Sequence, residues 1–266
     1  MNAIDYKKWE RFSFTPKISD EIICPICSKG KLIFKEELFH AMETKQTKEL
    51  ENYSYFDVMI HYQAKFTGFL LCDYKNCQEY IIVVGDKFVT TDDEDVIIED
   101  DGSITQSLTS VYYPEYFQPP IEIFKIEKYC PKEVKHQLIS SFKHFFSDTE
   151  ASANRLRVAI EILCDELKVI KKPKKTIGSP QRKQNQFTLH QRILELKKTK
   201  PEVAEMLLSI KWIGNYASHK DTVKRTDILD GYSFMQVVLN NIYDNNFKVL
   251  QKKSQKINKT KKPLSK

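Results

Sequence analysis

The chain has 266 residues, a net charge of +6 and an ordinary apolar fraction, enough for the cores of two domains. Glycine is scarce, with seven in all, and there is no Walker loop, dinucleotide fingerprint or serine nucleophile elbow. No apolar run is long enough for a bilayer and Met1-Asn2-Ala3-Ile4-Asp5 does not open a secretion signal, so a cytoplasmic protein with no membrane partner is expected.

In that compartment paired cysteines read as metal ligands before disulfides. Cys24-Pro25-Ile26-Cys27 is followed by Cys72-Asp73-Tyr74-Lys75-Asn76-Cys77. Two tight turns, each aiming two thiolates at one ion, are what a tetrahedral site needs. Lys31 to Phe39 reads as a strand leaving the first turn, and Phe39 to Ser54 as an insertion. Phe66 to Leu71 leads into the second turn and Tyr80 to Val84 leads out, as in a hairpin. Cys24, Cys27, Cys72 and Cys77 are the predicted ligands of one structural Zn2+, because four thiolates leave no open position for water. The competing reading is four buried thiols paired by accident, and His40 and His61 are alternative ligands. From Phe88 to Lys128 come further short strand-like pieces, an acidic patch at Asp92 to Asp101, and Gln118-Pro119-Pro120 as a linker signal.

Near Tyr129 the sequence changes from aromatic and β-branched to amphipathic. Pro131 suits a first helical position, followed by Val134, Leu138, Phe142 and Phe145 at helical spacing. Asp148 or Thr149 caps a second helix with the stripe Leu156, Ile160, Leu163 and Leu167. Cys164 lies on that stripe and reads as core; Cys130 stands at a helix start, where a thiolate can be stabilised. Thr188 and Gln191 have capping-box spacing before Leu189, Ile193 and Leu196. Pro201 opens a helix carrying Leu207, Ile210 and Ala217, and Thr226 or Asp227 caps the last, with Leu229, Phe234, Val238, Ile242 and Leu250. The predicted class is α+β, a small zinc-ribbon-like β module followed by an all-α bundle: residues 1–128, 129–250, and a basic disordered tail 251–266.

Two segments stand out for chemistry. Lys168 to Lys183 and Lys252 to Lys266 are strongly basic, and either solvate the surface or neutralise phosphates; Arg155, Arg157, Lys171, Lys172, Lys174, Lys175 and Arg182 are the candidate nucleic-acid contacts. Lys211, Asn215 and His219 share one helix face, with Gly214 inside the helix. Such a face closes the helix end by hydrogen bonds or forms a site.

Ala151-Ser152-Ala153-Asn154-Arg155-Leu156-Arg157 with Glu161, then Leu189 to Leu196, then Gly214-Asn215-Tyr216-Ala217-Ser218-His219, resemble the domain-of-unknown-function family numbered 4145, in the HEPN (higher eukaryotes and prokaryotes nucleotide-binding) group. The resemblance implies an HEPN-like bundle that dimerises, in a bacterial restriction, toxin or anti-phage defence setting. Active members of the group cut RNA without metal through an Arg-x(4–6)-His pattern. Here Gly214 stands where the arginine is usual, with Trp212 and Ile213 at the other permitted places; Lys211, Arg155 and Arg157 are the remaining sources of charge. The expected function is therefore a zinc-containing binding module for RNA or DNA, or for a nucleic-acid-processing protein, working as a homodimer through the helical domain. The alternatives are a ribonuclease using His219, Asn215 and Lys211 or Arg157, and a purely structural adaptor in a protein complex.

Overall fold

The computed structural model describes residues 3–17, 22–98, 104–172, 186–217 and 223–261, with the side chains of 92–98, 104–106 and 245–252 outside the description. It is an α+β protein of two compact units, one holding the described residues of Asp5–Ile123 with Ile139–Ser152, the other holding Phe124–Leu138 and the described residues of Ala153–Lys266. Among the described residues, no helix is long and apolar enough to cross a membrane.

The first unit contains α1 (Tyr6–Glu10), β1 (Leu32–Ile33), β2 (Phe39–Glu43), α2 (Lys45–Leu50), α3 (Val58–His61), β3 (Ala64–Cys72), β4 (Tyr80–Ile98) and β5 (Ile104–Gln118). The sheet is antiparallel, in the order β1-β3-β4-β5, with β2 also on β3. β3 is its centre because alternate residues are apolar or small: Ala64, Phe66, Leu70 and Cys72 are buried while Lys65, Thr67 and Phe69 face out. On one edge of β3, β1 pairs Leu32 with Cys72 and β2 pairs Phe39 with Gly68. On the other edge β4 pairs Leu71 with Tyr80, the hairpin predicted around the second cysteine pair.

Rings fill the core under the sheet. Phe34 and Phe39 lie 4.3 Å apart between centroids, and Phe66 meets Tyr112 edge-on at 4.9 Å. Phe14 exchanges backbone hydrogen bonds of 3.0 and 2.8 Å with Tyr112 and so covers part of the β5 edge.

The predicted strand Lys31 to Phe39 is not continuous. It is two short strands separated by a 3-10 turn at Glu36–Leu38, because Lys35, Glu36 and Glu37 supply no inward-facing residue. The expected insertion from Phe39 therefore begins as a sheet strand. Nor do the compact units divide at 128/129. Residues 139–152 pack with the sheet, where the Phe146 ring lies 5.2 Å from Phe117 and 5.7 Å from Phe12.

The helices are α4 (Lys132–His144), α5 (Thr149–Glu166), α6 (Leu189–Lys197), α7 (Pro201–Ala217), α8 (Arg225–Tyr243) and α9 (Asn245–Thr260). The predicted punctuation is largely in place. Asp148 accepts from the Ala151 amide at 2.7 Å, the Thr188–Gln191 capping box forms, and α7 opens on Pro201. The last predicted helix is two helices, since Asp244 takes an extended conformation. Its start is also earlier, where the Asp227 carboxylate accepts from the Lys224 amide at 2.9 Å. Residues 251–260 were expected in an unstructured tail; they are helical, as part of α9. The buried side chains of α5 to α8 include Leu156, Ile160, Leu163, Ile193, Leu207, Ile210, Tyr232 and Met235.

A polar cluster around Arg192 ties α5 to α6. The buried Arg192 guanidinium donates to Asp165, whose other oxygen pairs with Lys171 at 2.9 Å. Burial pushes the Asp165 carboxyl up, but Lys171 and Arg192 outweigh it and leave it below its ordinary value. Asp165→Asn should therefore destabilise the helical unit by about 1–3 kcal/mol, by leaving a buried cation half-paired. A depressed carboxylate contributes above its unfolded value of about 3.9 and loses that contribution as pH falls through the lower folded value. The gap between wild type and Asp165→Asn in urea unfolding should be full at neutral pH and close in strong acid. An equal gap at both ends would rule out the charge as its source.

Candidate metal centre and the face of α7

The first cysteine turn is closed at its base by Leu32 N–H to Ile22 C=O (2.8 Å) and Cys24 N–H to Gly30 C=O (2.8 Å). At its tip Ser28 donates to the Cys24 carbonyl at 2.9 Å and adopts a left-handed backbone, with φ of 54°. The second turn repeats the device. Gln78 donates to the Tyr74 carbonyl at 3.1 Å with φ of 51°, so each left-handed residue directly follows the second cysteine of its pair. The four intervening residues of the second pair are thus accounted for. Cys72 is the last residue of β3, and the turn proper starts two residues later at Tyr74.

The turns are stitched together by Asp73, whose amide donates to the Lys31 carbonyl at 2.9 Å and whose carboxylate accepts from the Lys31 amide at 2.7 Å. Gly30 lies where they approach most closely. A Cβ there would press on the Cys72 sulfur and sit 2.7 Å from the Tyr74 Cβ.

This scaffold gathers four sulfurs. Cys24 Sγ is 3.9 Å from Cys77 Sγ, Cys27 Sγ is 3.7 Å from Cys72 Sγ, and all four lie within 4.8 Å of one another. Sulfurs bound about 2.3 Å from one tetrahedral ion are separated by about 3.8 Å, so the spacing is that of a ligand shell. A disulfide needs about 2.05 Å, and all six cysteines are free. The Gly30 amide donates to Cys27 Sγ at 3.3 Å. That amide brings the Cys27 thiol down to about 6, while burial pushes Cys72 up to about 12 and raises Cys24. Packed this closely, the four cannot all ionise without a cation among them, and a divalent ion would supply that charge. His40 is exposed on β2, and His61 Nδ1 accepts from the Asp57 amide at 2.9 Å; neither belongs to the four-cysteine group. Cys130 and Cys164 are buried, and burial pushes both thiols up to about 11, so the helix start does not activate Cys130.

The other predicted residues are divided by the helix geometry. Arg155 and Arg157 are two positions apart on α5 and face different neighbours. Arg155 is exposed and reaches Gln137 at 3.4 Å, whereas Arg157 pairs with Glu161 at 3.2 Å and lies against Gly214 of α7. A Cβ at Gly214 would stand 2.8 Å from the Arg157 Cβ and 3.2 Å from the Ala153 carbonyl oxygen. The interior glycine therefore marks close helix packing.

One turn earlier Lys211 is buried, with Nζ 3.2 Å from the centre of the Trp212 ring. Burial, and then the charge of Arg157, lower its affinity for a proton. Asn215 is half-buried on the same helix, and Lys171 and Lys172 are exposed. His219, Lys174, Lys175 and Arg182 lie outside the described residues.

Two aromatic residues were not among the predicted contacts. Trp212 is 56% exposed and Tyr216 54% exposed, although both are large rings on a helix with a buried stripe. The His190 ring of α6 lies 5.8 Å from Trp212, and its buried Nδ1 has no hydrogen-bond partner among the described residues. The signal for the pair was their spacing by four, off the stripe of Leu207, Ile210 and Gly214.

Residues 140–260 match the family described as Domain of unknown function (DUF4145), and residues 12–117 match the one described as Domain of unknown function (DUF8608). No curated protein and no solved structure matches the chain.

Proposed function

We propose that this chain is a zinc-stapled nucleic-acid-binding module whose helical unit is HEPN-like, and that it works by binding rather than by cutting. Zinc suits a closed set of four thiolates at this spacing, and with no position left for water its role is structural. The observation that carries the non-catalytic reading is Gly214. The place where the resemblance expects an arginine is used up by contact with Arg157 and Ala153 of α5. The nearest lysine, Lys211, is buried under an indole ring instead of being held out toward a phosphate. The setting that fits is bacterial defence, where the resemblance places the bundle.

The test is to incubate zinc-loaded protein and a His219→Ala variant with total RNA in buffer free of magnesium and of chelator, and to follow oligonucleotide binding by fluorescence anisotropy. The expected result is no His219-dependent cleavage, with binding that weakens as salt rises. Contacts to three phosphates of a single strand give a slope of about −2 in log affinity against log salt. Cleavage lost in His219→Ala would make the protein a ribonuclease. Absence of binding at low salt would favour a structural adaptor.

A further inference from the structure

Trp212 and Tyr216 are four residues apart on α7, so their rings rise from the same side of the helix about 6 Å apart along its axis. Both are more than half exposed, which is unusual for rings of this size. One face of Trp212 is taken: the Lys211 ammonium sits 3.2 Å from its centre. That contact lies against the ring, and over half of the residue remains exposed. His190 stands beside it, its ring 5.8 Å from the indole. The charge behind the rings is positive, from Lys211 and Arg157, with Glu161 the carboxylate paired to it.

We propose that Trp212 and Tyr216 form a stacking platform for the bases of a single-stranded nucleic acid, RNA or DNA. The inference rests on the nucleic-acid-binding reading above and names the ligand class and the residues of its contact. Flat exposed rings take unstacked bases, since every base offers a π face, and the net charge of +6 on the chain draws the phosphate backbone at long range. A duplex is a poor ligand here, because its bases are already stacked on each other and two rings fixed on a helix cannot reach their faces. Lys211 is a positioning residue, set against the indole ring.

The experiment uses the full zinc-loaded chain and four fluorescent probes: a 12-nucleotide RNA, the DNA of the same sequence, and the duplex of each. Anisotropy gives affinity, and intrinsic fluorescence reports on Trp212, since Trp9 is buried and serves as a constant background. Tighter binding of single strands than duplexes is expected, with quenching on binding. The RNA and DNA arms show which sugar is preferred. Trp212→Ala should weaken single-strand binding about five- to a hundred-fold, Tyr216→Ala by a similar factor, and Trp212→Phe should restore much of the loss. Circular dichroism of these surface variants should match wild type.

Binding by wild type that is unchanged in both alanine variants would overturn the platform while leaving the nucleic-acid reading intact. Equal or tighter duplex binding would do the same. No binding of any probe would overturn both. Light scattering separates the remaining case: if Trp212→Ala lowers the molecular mass, this face joins copies of the chain and the platform is refuted.

Discussion

Cys72→Ser should release the metal and loosen the cysteine end of the sheet, while the helical unit keeps its stability. Wild-type protein purified without added metal should carry one zinc per chain by elemental mass spectrometry, and Cys72→Ser close to none. Cys72 is the ligand with most to lose, because it is also the last residue of β3, buried and paired with Leu32 of β1. The metal binding of isolated zinc-finger peptides corresponds to about 10–16 kcal/mol of folding free energy at neutral pH. Here the loss should be a fraction of that, because Leu70, Ile81, Val83 and the ring cluster bury a core that does not depend on the ion. What should fail is local. Residues 22–33 are held by two base hydrogen bonds, the Asp73 stitches and the short β1 pairing, too little to order the turn alone. Rapid amide exchange and proteolytic cleavage confined to residues 22–33 and 73–79 are the expected readouts. A metal-free wild type as protected there as the zinc form would show that the cysteines do not staple the fold. Iron in place of zinc would change the metal, since four thiolates also suit iron.

The parts legible in the sequence were those written by spacing. The alternation Ala64, Phe66, Gly68, Leu70, Cys72 fixes both the strand and the face its last cysteine occupies. The Thr188–Gln191 box and Pro201 fix two helix starts, because capping chemistry is local. What could not be read depends on contacts distant in sequence. Nothing in Lys35-Glu36-Glu37 says that the chain will turn there and return as β2 against Gly68. The move of residues 139–152 to the sheet unit is decided by Phe146 meeting Phe12 and Phe117, over a hundred residues away in the first case. The Asp244 break falls within an unbroken helical pattern. Arg155 and Arg157 look alike as a basic pair, and separate only once α4 and α7 stand on different sides of α5.

Gly214→Arg, which writes the usual arginine back into the helix, should destabilise the helical unit by about 3 kcal/mol or more and should not create a nuclease. The atoms in the way are the Arg157 Cβ at 2.8 Å and the Ala153 carbonyl oxygen at 3.2 Å, the root of a side chain and a piece of backbone, neither able to swing aside. Gly214→Ala separates the terms. Alanine should gain about 1 kcal/mol from helix propensity over glycine. The overlap should cost more than that, for a net loss of about 1–2 kcal/mol read as a lower urea midpoint. The double variant Gly214→Ala with Arg157→Gly removes the atom that the new methyl meets first, and should recover much of the packing loss after allowing for glycine in α5. If Gly214→Arg instead folds with wild-type stability and cleaves RNA in a His219-dependent way, the helix spacing is more forgiving than these contacts imply. The chain would then be a ribonuclease scaffold missing one side chain. If Gly214→Arg unfolds and Gly214→Ala is merely weakened, then the glycine is there for packing, and the arginine cannot return without moving α5.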